Sequence, residues 1–168
     1  MRLRELQKKD VPYMLEWMHD YEVVKDLKSN FQAMQIKDCE NFIDFANSSN
    51  TDIHKAIVDE TDEYMGTVSL KHIKNNTAEF AIAIRKIAMG YGFASYAMNE
   101  IIQYGFQEKG LQIIYWCVDR NNKRACRFYD KNGYRKIKVE EEMSVQSVIY
   151  NNYEETQIKK YFWYAKKA

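Results

Sequence analysis

The run Asn122-Lys123-Arg124-Ala125-Cys126-Arg127-Phe128-Tyr129-Asp130-Lys131-Asn132-Gly133-Tyr134 begins with a residue that caps helices and ends near one that stops them. An Asn side chain accepts a hydrogen bond from an orphan N–H of the first turn. A Gly just past the last turn takes the left-handed backbone that closes a helix. The helix between them carries Tyr129 about two turns past the cap, on one face. A phenol with an ordinary pKa of about 10 stays protonated at neutral pH and can give that proton away. Upstream, Met89-Gly90-Tyr91-Gly92-Phe93-Ala94 opens another helix directly after an apolar strand. Its glycines allow close backbone approach, and the unpaired N–H groups of a helix start suit a pyrophosphate. An anion cradle and a proton donor, separated by one helix and one strand, indicate group transfer from a phosphate-bearing cofactor.

Outward from these motifs the chain reads as alternating strands and helices. The helix after the glycine loop spans about Gly92 to Glu108, with Ala94, Ala97, Met98, Ile101, Ile102 and Phe106 on one face and Gly110 as its stop. Ile113 to Val118 is continuously apolar, as a buried central strand is. Ala78 to Ile84 alternates, placing Phe80, Ile82 and Ile84 on one face and Glu79 on the other. Asn75-Asn76 marks a turn before it, and Lys55–Asp59 with Tyr64–His72 forms a hairpin. At the N-terminus a short strand, Leu3 to Leu6, precedes Asp10 as N-cap and Pro12 in the first turn of a helix reaching about His19. A second helix covers Lys37 to Ala46. Beyond the Tyr129 helix come a strand at Lys136–Val139, a segment Met143–Tyr153 with no clear pattern, and a final strand at Ile158–Ala165. This order gives an α/β fold, α+β by some schemes, with helices on both faces of one sheet.

At 168 residues the chain is long enough for one domain with a real core, spanning 1–168. Its 25 basic and 24 acidic side chains leave a net charge of +1, which argues against a general nucleic-acid binder. No apolar run approaches the roughly 20 residues that cross a bilayer, so no membrane partner is expected. The start, Met1-Arg2-Leu3-Arg4-Glu5, lacks the apolar core of a signal peptide. Cys39, Cys117 and Cys126 are odd in number and widely spaced, which disfavours a disulfide framework or a zinc site. His19, His54 and His72 are scattered, so no metal is expected. A cytoplasmic location follows from the same features.

The two motifs together resemble the signatures of the GNAT acetyltransferase superfamily, from about Tyr64 to Tyr134. The N-x-R-A-x-x-x-Y-x-K-x-G-Y spacing is the specific part; G-x-G alone is weak. No Gly-Lys-Ser/Thr follows the loop, so it is not a P-loop, and the third Gly of a dinucleotide fold is missing. The branch most resembled includes ribosomal-protein N-terminal and sugar-amine acetyltransferases. The resemblance implies a mixed, mostly antiparallel sheet that splays at a cofactor cleft, with acetyl-CoA as co-substrate.

It also implies roles. Met89, Gly90, Tyr91, Gly92, Phe93 and Ala94 would hold the pyrophosphate. Ile82 and Ile84 would line the cofactor arm, with a backbone N–H near Ile84 facing the oxyanion. Asn122 would touch the pantetheine arm in addition to capping its helix. Arg127, with Arg124, would meet the 3′-phosphate of CoA, or else belong to a solvated basic face. Tyr129 would protonate the departing thiolate. Glu79 is either the base that collects the amine proton or an ordinary surface carboxylate. The family usually carries Arg or Gln where this chain has Met89, and Arg85 and Lys86 are the nearby sources of that charge. Cys117 and Cys126 lack a base partner, so direct transfer in a ternary complex is expected over an acetyl-cysteine. The favoured acceptor is the primary amine of a small molecule, an amino-sugar foremost. A protein N-terminus or side-chain amine and a polyamine are the enzymatic alternatives. A non-catalytic acyl-CoA-binding protein is the alternative from another class. A monomer and a homodimer are equally compatible.

Overall fold

A computed structural model describes residues 1–168. Seven strands form one sheet: β1 (Arg2–Arg4), β2 (Ile53–Val58), β3 (Tyr64–Lys74), β4 (Thr77–Ile84), β5 (Ile113–Asp119), β6 (Arg135–Ile137) and β7 (Tyr161–Lys167). Their spatial order is β1-β2-β3-β4-β5-β7-β6. Every neighbouring pair is antiparallel except β4 and β5, so the sheet is mixed and mostly antiparallel. Asn75 and Asn76, with φ of 51° and 58°, close the β3–β4 hairpin. Two positive φ values are what a two-residue turn needs to match strand twist, and Asn tolerates them.

The helices are α1 (Val11–Met18), α2 (Tyr21–Val24), α3 (Ile36–Ser48), α4 (Phe93–Gln107), α5 (Lys123–Lys131), α6 (Met143–Asn152) and α7 (Glu155–Lys160). Strand alternation sends Ile57, Val68, Leu70, Phe80, Ile114, Trp116 and Tyr164 to one face, where Ala97, Met98, Ile101 and Ile102 of α4 and Tyr129 of α5 cover them. On the opposite face α1 and α3 pack over Ala56 and Val58, while α6 and α7 pack over Ile113, Tyr115, Trp163 and Ala165. Gly105 lets α4 approach closely: a Cβ there would sit 2.9 Å from Leu70 and 3.0 Å from Ile114.

Several expectations shift. The final strand begins at Tyr161, not Ile158, because Ile158 closes α7 against the core. Met143–Asn152 is a helix whose buried Val145, Val148 and Ile149 follow helical spacing. The strand expected over Lys136–Val139 runs Arg135–Ile137, with Val139 in a 3-10 turn. Asp10 is the N-cap residue of α1, as expected, but its side chain makes no capping bond to that helix. Its carboxylate accepts from the Gln7 N–H and makes two bonds to the Arg4 guanidinium.

Candidate active site

Strands β4 and β5 pair at only three positions, Thr77↔Ile113, Ala78↔Ile114 and Glu79↔Tyr115. Beyond Glu79 each strand keeps its other neighbour, β3 or β7, and the two diverge. The direction of the stranded backbone groups follows from register. In an antiparallel pair, hydrogen-bonded positions alternate. The Arg85 N–H donates to the Met65 carbonyl, so the odd positions of β4 bond to β3. On the other side, the Asn76 carbonyl accepts from Gln112, so the even positions face β5. The N–H and C=O groups of Ile82 and Ile84 therefore point into the opening, with no strand to meet them. Gly66 makes this edge possible. A Cβ there would lie 2.4 Å from the Ala83 carbonyl oxygen and 2.8 Å from the Ile84 side chain.

At the wide end of the opening, Gly90 and Gly92 adopt φ of 84° and 87°. Gly92 caps α4, and no side chain caps that helix. The N–H groups of Gly90, Tyr91, Gly92, Phe93 and Ala94 donate no hydrogen bond within the protein. Five unpaired donors at a helix N-terminus suit an anion. A Cβ at Gly90 would meet nothing within 4 Å, so the lip of the cradle is open.

Neither Arg85 nor Lys86 supplies charge at the Met89 corner. Arg85 is buried and committed: it bonds Glu16 at 2.7 and 2.9 Å, Glu63 at 2.6 Å and the Tyr64 carbonyl at 2.9 Å. Lys86 turns to Asp20 at 3.8 Å. The guanidinium beside the loop is that of Arg124, whose Nη1 lies 2.7 Å from the Met89 sulfur. Arg127 is exposed and has no ion-pair partner.

Asn122 does cap α5, accepting from the Ala125 N–H at 3.0 Å. Two turns on, the Tyr129 ring packs against Trp116, Phe128, Tyr134 and Tyr164, with centroids 5.1–6.3 Å away. Its hydroxyl bonds to no protein group, yet it is not among the polar atoms sealed from solvent without a partner. Burial raises its pKa further, so the phenol is fully protonated at neutral pH.

Glu79 lies on the opposite face of the sheet. Its side chain is 5% exposed, so it is no surface carboxylate. Oε1 accepts from the Tyr153 hydroxyl at 2.5 Å and faces Lys71 at 3.6 Å; Oε2 meets His72 Nδ1 at 3.1 Å. Burial alone would raise its pKa. The His72 bond, the Lys71 charge and the Tyr153 bond together hold it below the usual carboxylate range, so it is ionised.

Cys117, on that same face, is pushed up to about 12 by burial and the Glu79 charge, so it is a thiol rather than a thiolate. Burial also raises Cys126, whose sulfur faces the Asp119 carbonyl. All three cysteines are free.

Sequence reading passed over Lys71, His72, Tyr153 and the Arg124–Met89 contact. A partial signal existed for two of them. A two-residue turn at Asn75-Asn76 sets His72 opposite Glu79, and the irregularity between Lys71 and Lys74 makes Lys71 the partner while His72, at φ 53°, still reaches the carboxylate. Tyr153 arrives from α6 across 74 residues of sequence, and no local pattern announces it.

The chain matches the acetyltransferase (GNAT) domain family over residues 1–135. It is 28% identical over 144 residues to the spermidine N(1)-acetyltransferase of Escherichia coli K12, covering 80% of this chain and 72% of the relative. It is 27% identical over 141 residues to the uncharacterized N-acetyltransferase p20 of Bacillus licheniformis, covering 81% and 79%. Among solved structures, it superposes with a TM-score of 0.71 and 22% identity on the Vibrio cholerae spermidine N-acetyltransferase in complex with CoA and spermine, covering 81% of both chains. The PaiA N-acetyltransferase of Thermoplasma acidophilum in complex with coenzyme A gives a TM-score of 0.72 at 16% identity, covering 99% of this chain and 98% of that one.

Proposed function

Because this chain belongs to the GNAT acetyltransferase family, we propose that it moves the acetyl group of acetyl-CoA directly onto the primary amine of a small cationic molecule. The observation that carries this reading is the divergence of β4 from β5 after Glu79, with the free backbone groups of Ile82 and Ile84 leading to five unpaired N–H groups at the start of α4. A cofactor with a long polar arm and a pyrophosphate fits both halves of that opening. Acetyl-CoA supplies an activated thioester when bound.

The N–H groups of Gly90 to Ala94 hold the pyrophosphate, and Arg124 adds the charge absent at Met89. The backbone of Ile82 and Ile84 extends along the arm as a missing strand would. The Ile84 N–H stabilises the charge that develops on the acetyl oxygen. Tyr129 donates a proton to the sulfur as it departs; its hydroxyl is protonated at neutral pH and bonded to no protein group. The amine must lose a proton before it attacks, and Glu79 accepts it through the groups bonded to its carboxylate or through water. Relatives named for spermidine support a small, cationic acceptor over a protein.

The test is a screen of primary amines with acetyl-CoA, reading the free thiol of released CoA. The expected hits are alkylamines and polyamines. Acetylation of peptides alone would replace the small-molecule reading with a protein acceptor, and no release with any amine would replace the enzyme's proposed chemistry altogether.

A further inference from the structure

On the face of the sheet that carries Glu79, a lysine of the chain itself rests on an aromatic ring. Lys28 lies in the segment after α2, and its Nζ is 3.9 Å from the centroid of Tyr153. The residue is exposed, and it forms no ion pair or hydrogen bond in the protein. An exposed ammonium can sit anywhere in water, so its choice of this ring needs a cause. Two features of Tyr153 provide one. Its hydroxyl donates to Glu79 at 2.5 Å, which feeds electron density from an ionised carboxylate into the phenol. It also stands in an aromatic corner, at 90° to Trp163 with centroids 5.0 Å apart and at 83° to Tyr161 with centroids 6.4 Å apart. A ring face backed by a carboxylate is a seat for an ammonium group.

The seat lies at the closed end of the opening between β4 and β5. Glu79 is the last paired residue before the sheet opens, and Cys117 of β5, 3.8 Å from the Tyr153 hydroxyl, borders the same spot. The cofactor arm would enter from the α4 end, leaving this face for the amine. We propose that the Tyr153 ring, backed by Glu79, is the binding subsite for an ammonium group of the acceptor, and that Lys28 fills it as an internal cation when no acceptor is bound. The ligand class is an alkyl diamine or longer polyamine, whose second ammonium takes the Lys28 position. Lys71 and His72 contact the Glu79 carboxylate, Lys71 at the oxygen that Tyr153 bonds and His72 at the other, and neither stacks on the Tyr153 ring. Lys28 has no other partner to hold it, so it yields at little cost.

This inference rests on the acetyltransferase reading, and the experiment separates the two. Wild type, Lys28→Ala, Tyr153→Leu and Tyr153→Phe are compared on 1,4-diaminobutane and on butylamine, which has one amine and a neutral tail. Acetyl-CoA binding is followed separately by calorimetry as a check on folding and on the cofactor site. The wild type should prefer the diamine, and Lys28→Ala should lower its KM several-fold. Tyr153→Leu should raise the diamine KM by about tenfold, the scale of one desolvated cation–π contact. The ratio of the butylamine to the diamine KM should collapse toward one in Tyr153→Leu, whatever that variant does to kcat through Glu79, and Tyr153→Phe, which keeps the ring, should fall between. Equal KM for the two amines in the wild type, or a diamine preference that survives Tyr153→Leu, overturns the subsite while leaving the transfer reaction intact. If neither amine is acetylated, the transfer reading is at fault, and calorimetric binding of 1,4-diaminobutane to wild type and Tyr153→Leu still decides: tighter binding to the wild type supports the subsite, and equal or absent binding rejects it.

Discussion

Tyr129 combines a buried ring with an uncommitted hydroxyl in one side chain. Its ring is locked among four aromatic neighbours, while its hydroxyl has no protein partner to lose. Tyr129→Phe should therefore keep stability and acetyl-CoA affinity near wild type and lower turnover by about 10²–10³-fold, the usual scale for a positioned acid. Steady-state kinetics beside a thermal melt checks this; unchanged turnover would assign the proton to water. The cysteines make the complementary case. Burial keeps Cys117 a thiol, with a pKa of about 12, so it is a poor nucleophile. Replacing Cys39, Cys117 and Cys126 together by Ala or Ser should leave turnover within a few-fold, apart from packing losses. Mass spectrometry of enzyme held with acetyl-CoA alone should find no adduct that passes to the amine. A competent acetyl-cysteine would turn direct transfer into a two-step relay.

At the scale of elements, the cleft depends on two glycines that serve different ends. Gly66 in β3 lets the edge of β4 lie flat against it, and its absent Cβ leaves room for the Ala83 carbonyl. Gly66→Ala should destabilise by about 1–3 kcal/mol, the range for overpacking. It should also weaken acetyl-CoA, because the displaced atoms belong to Ile84 and its neighbour on the cleft wall. Gly92→Asp acts differently. The space around Gly92 is open, its nearest neighbour being Met1 at 3.9 Å, but φ is 87° and the carboxylate would face a bound pyrophosphate. Calorimetry should show acetyl-CoA binding lost in a protein that still folds. Retained affinity in the folded Gly92→Asp variant would move the cofactor site elsewhere.

Taken as a whole, the molecule carries a buried titratable group away from the cleft. His54 in β2 is 4% exposed at its side chain, bonds Ser69 at 2.7 Å and packs between Phe42 and Phe45. Burial lowers its pKa, more than the nearby Asp52 raises it. The unfolded chain takes up this proton at about pH 6.5, and the native state only at lower pH. Below that point the unfolded state binds more protons, so stability falls as pH falls. Asp62, held down to about 2 by Lys9 and Arg4, acts in the same direction only in the acid range below the usual carboxylate pKa. Thermal melts between pH 7.5 and 5 should show a declining Tm that His54→Gln flattens. Parallel slopes for the two proteins would remove His54 as the cause.

The sequence by itself determined what is local. Periodicity placed β2 to β5 and α4, the Asn122 cap and Gly133 stop bounded α5, and Gly90 and Gly92 marked the open helix start, because each of these acts within a few residues of chain. The family of the chain was legible from the same two motifs. Only the tertiary structure decided which strands part and which side chains meet. Arg85 was a free charge in sequence but is claimed by Glu16 and Glu63, and Arg124 takes its place beside Met89. Glu79 was either a base candidate or a surface carboxylate in sequence, and its burial under Tyr153, from a segment with no readable pattern, excludes the surface position. Long-range pairs of this kind are fixed by the packing of whole elements on the two faces of the sheet. Cap, turn and periodicity signals reach only a few residues along the chain, which is why the partners of Glu79 and the aromatic ring beside it emerge only in the folded protein.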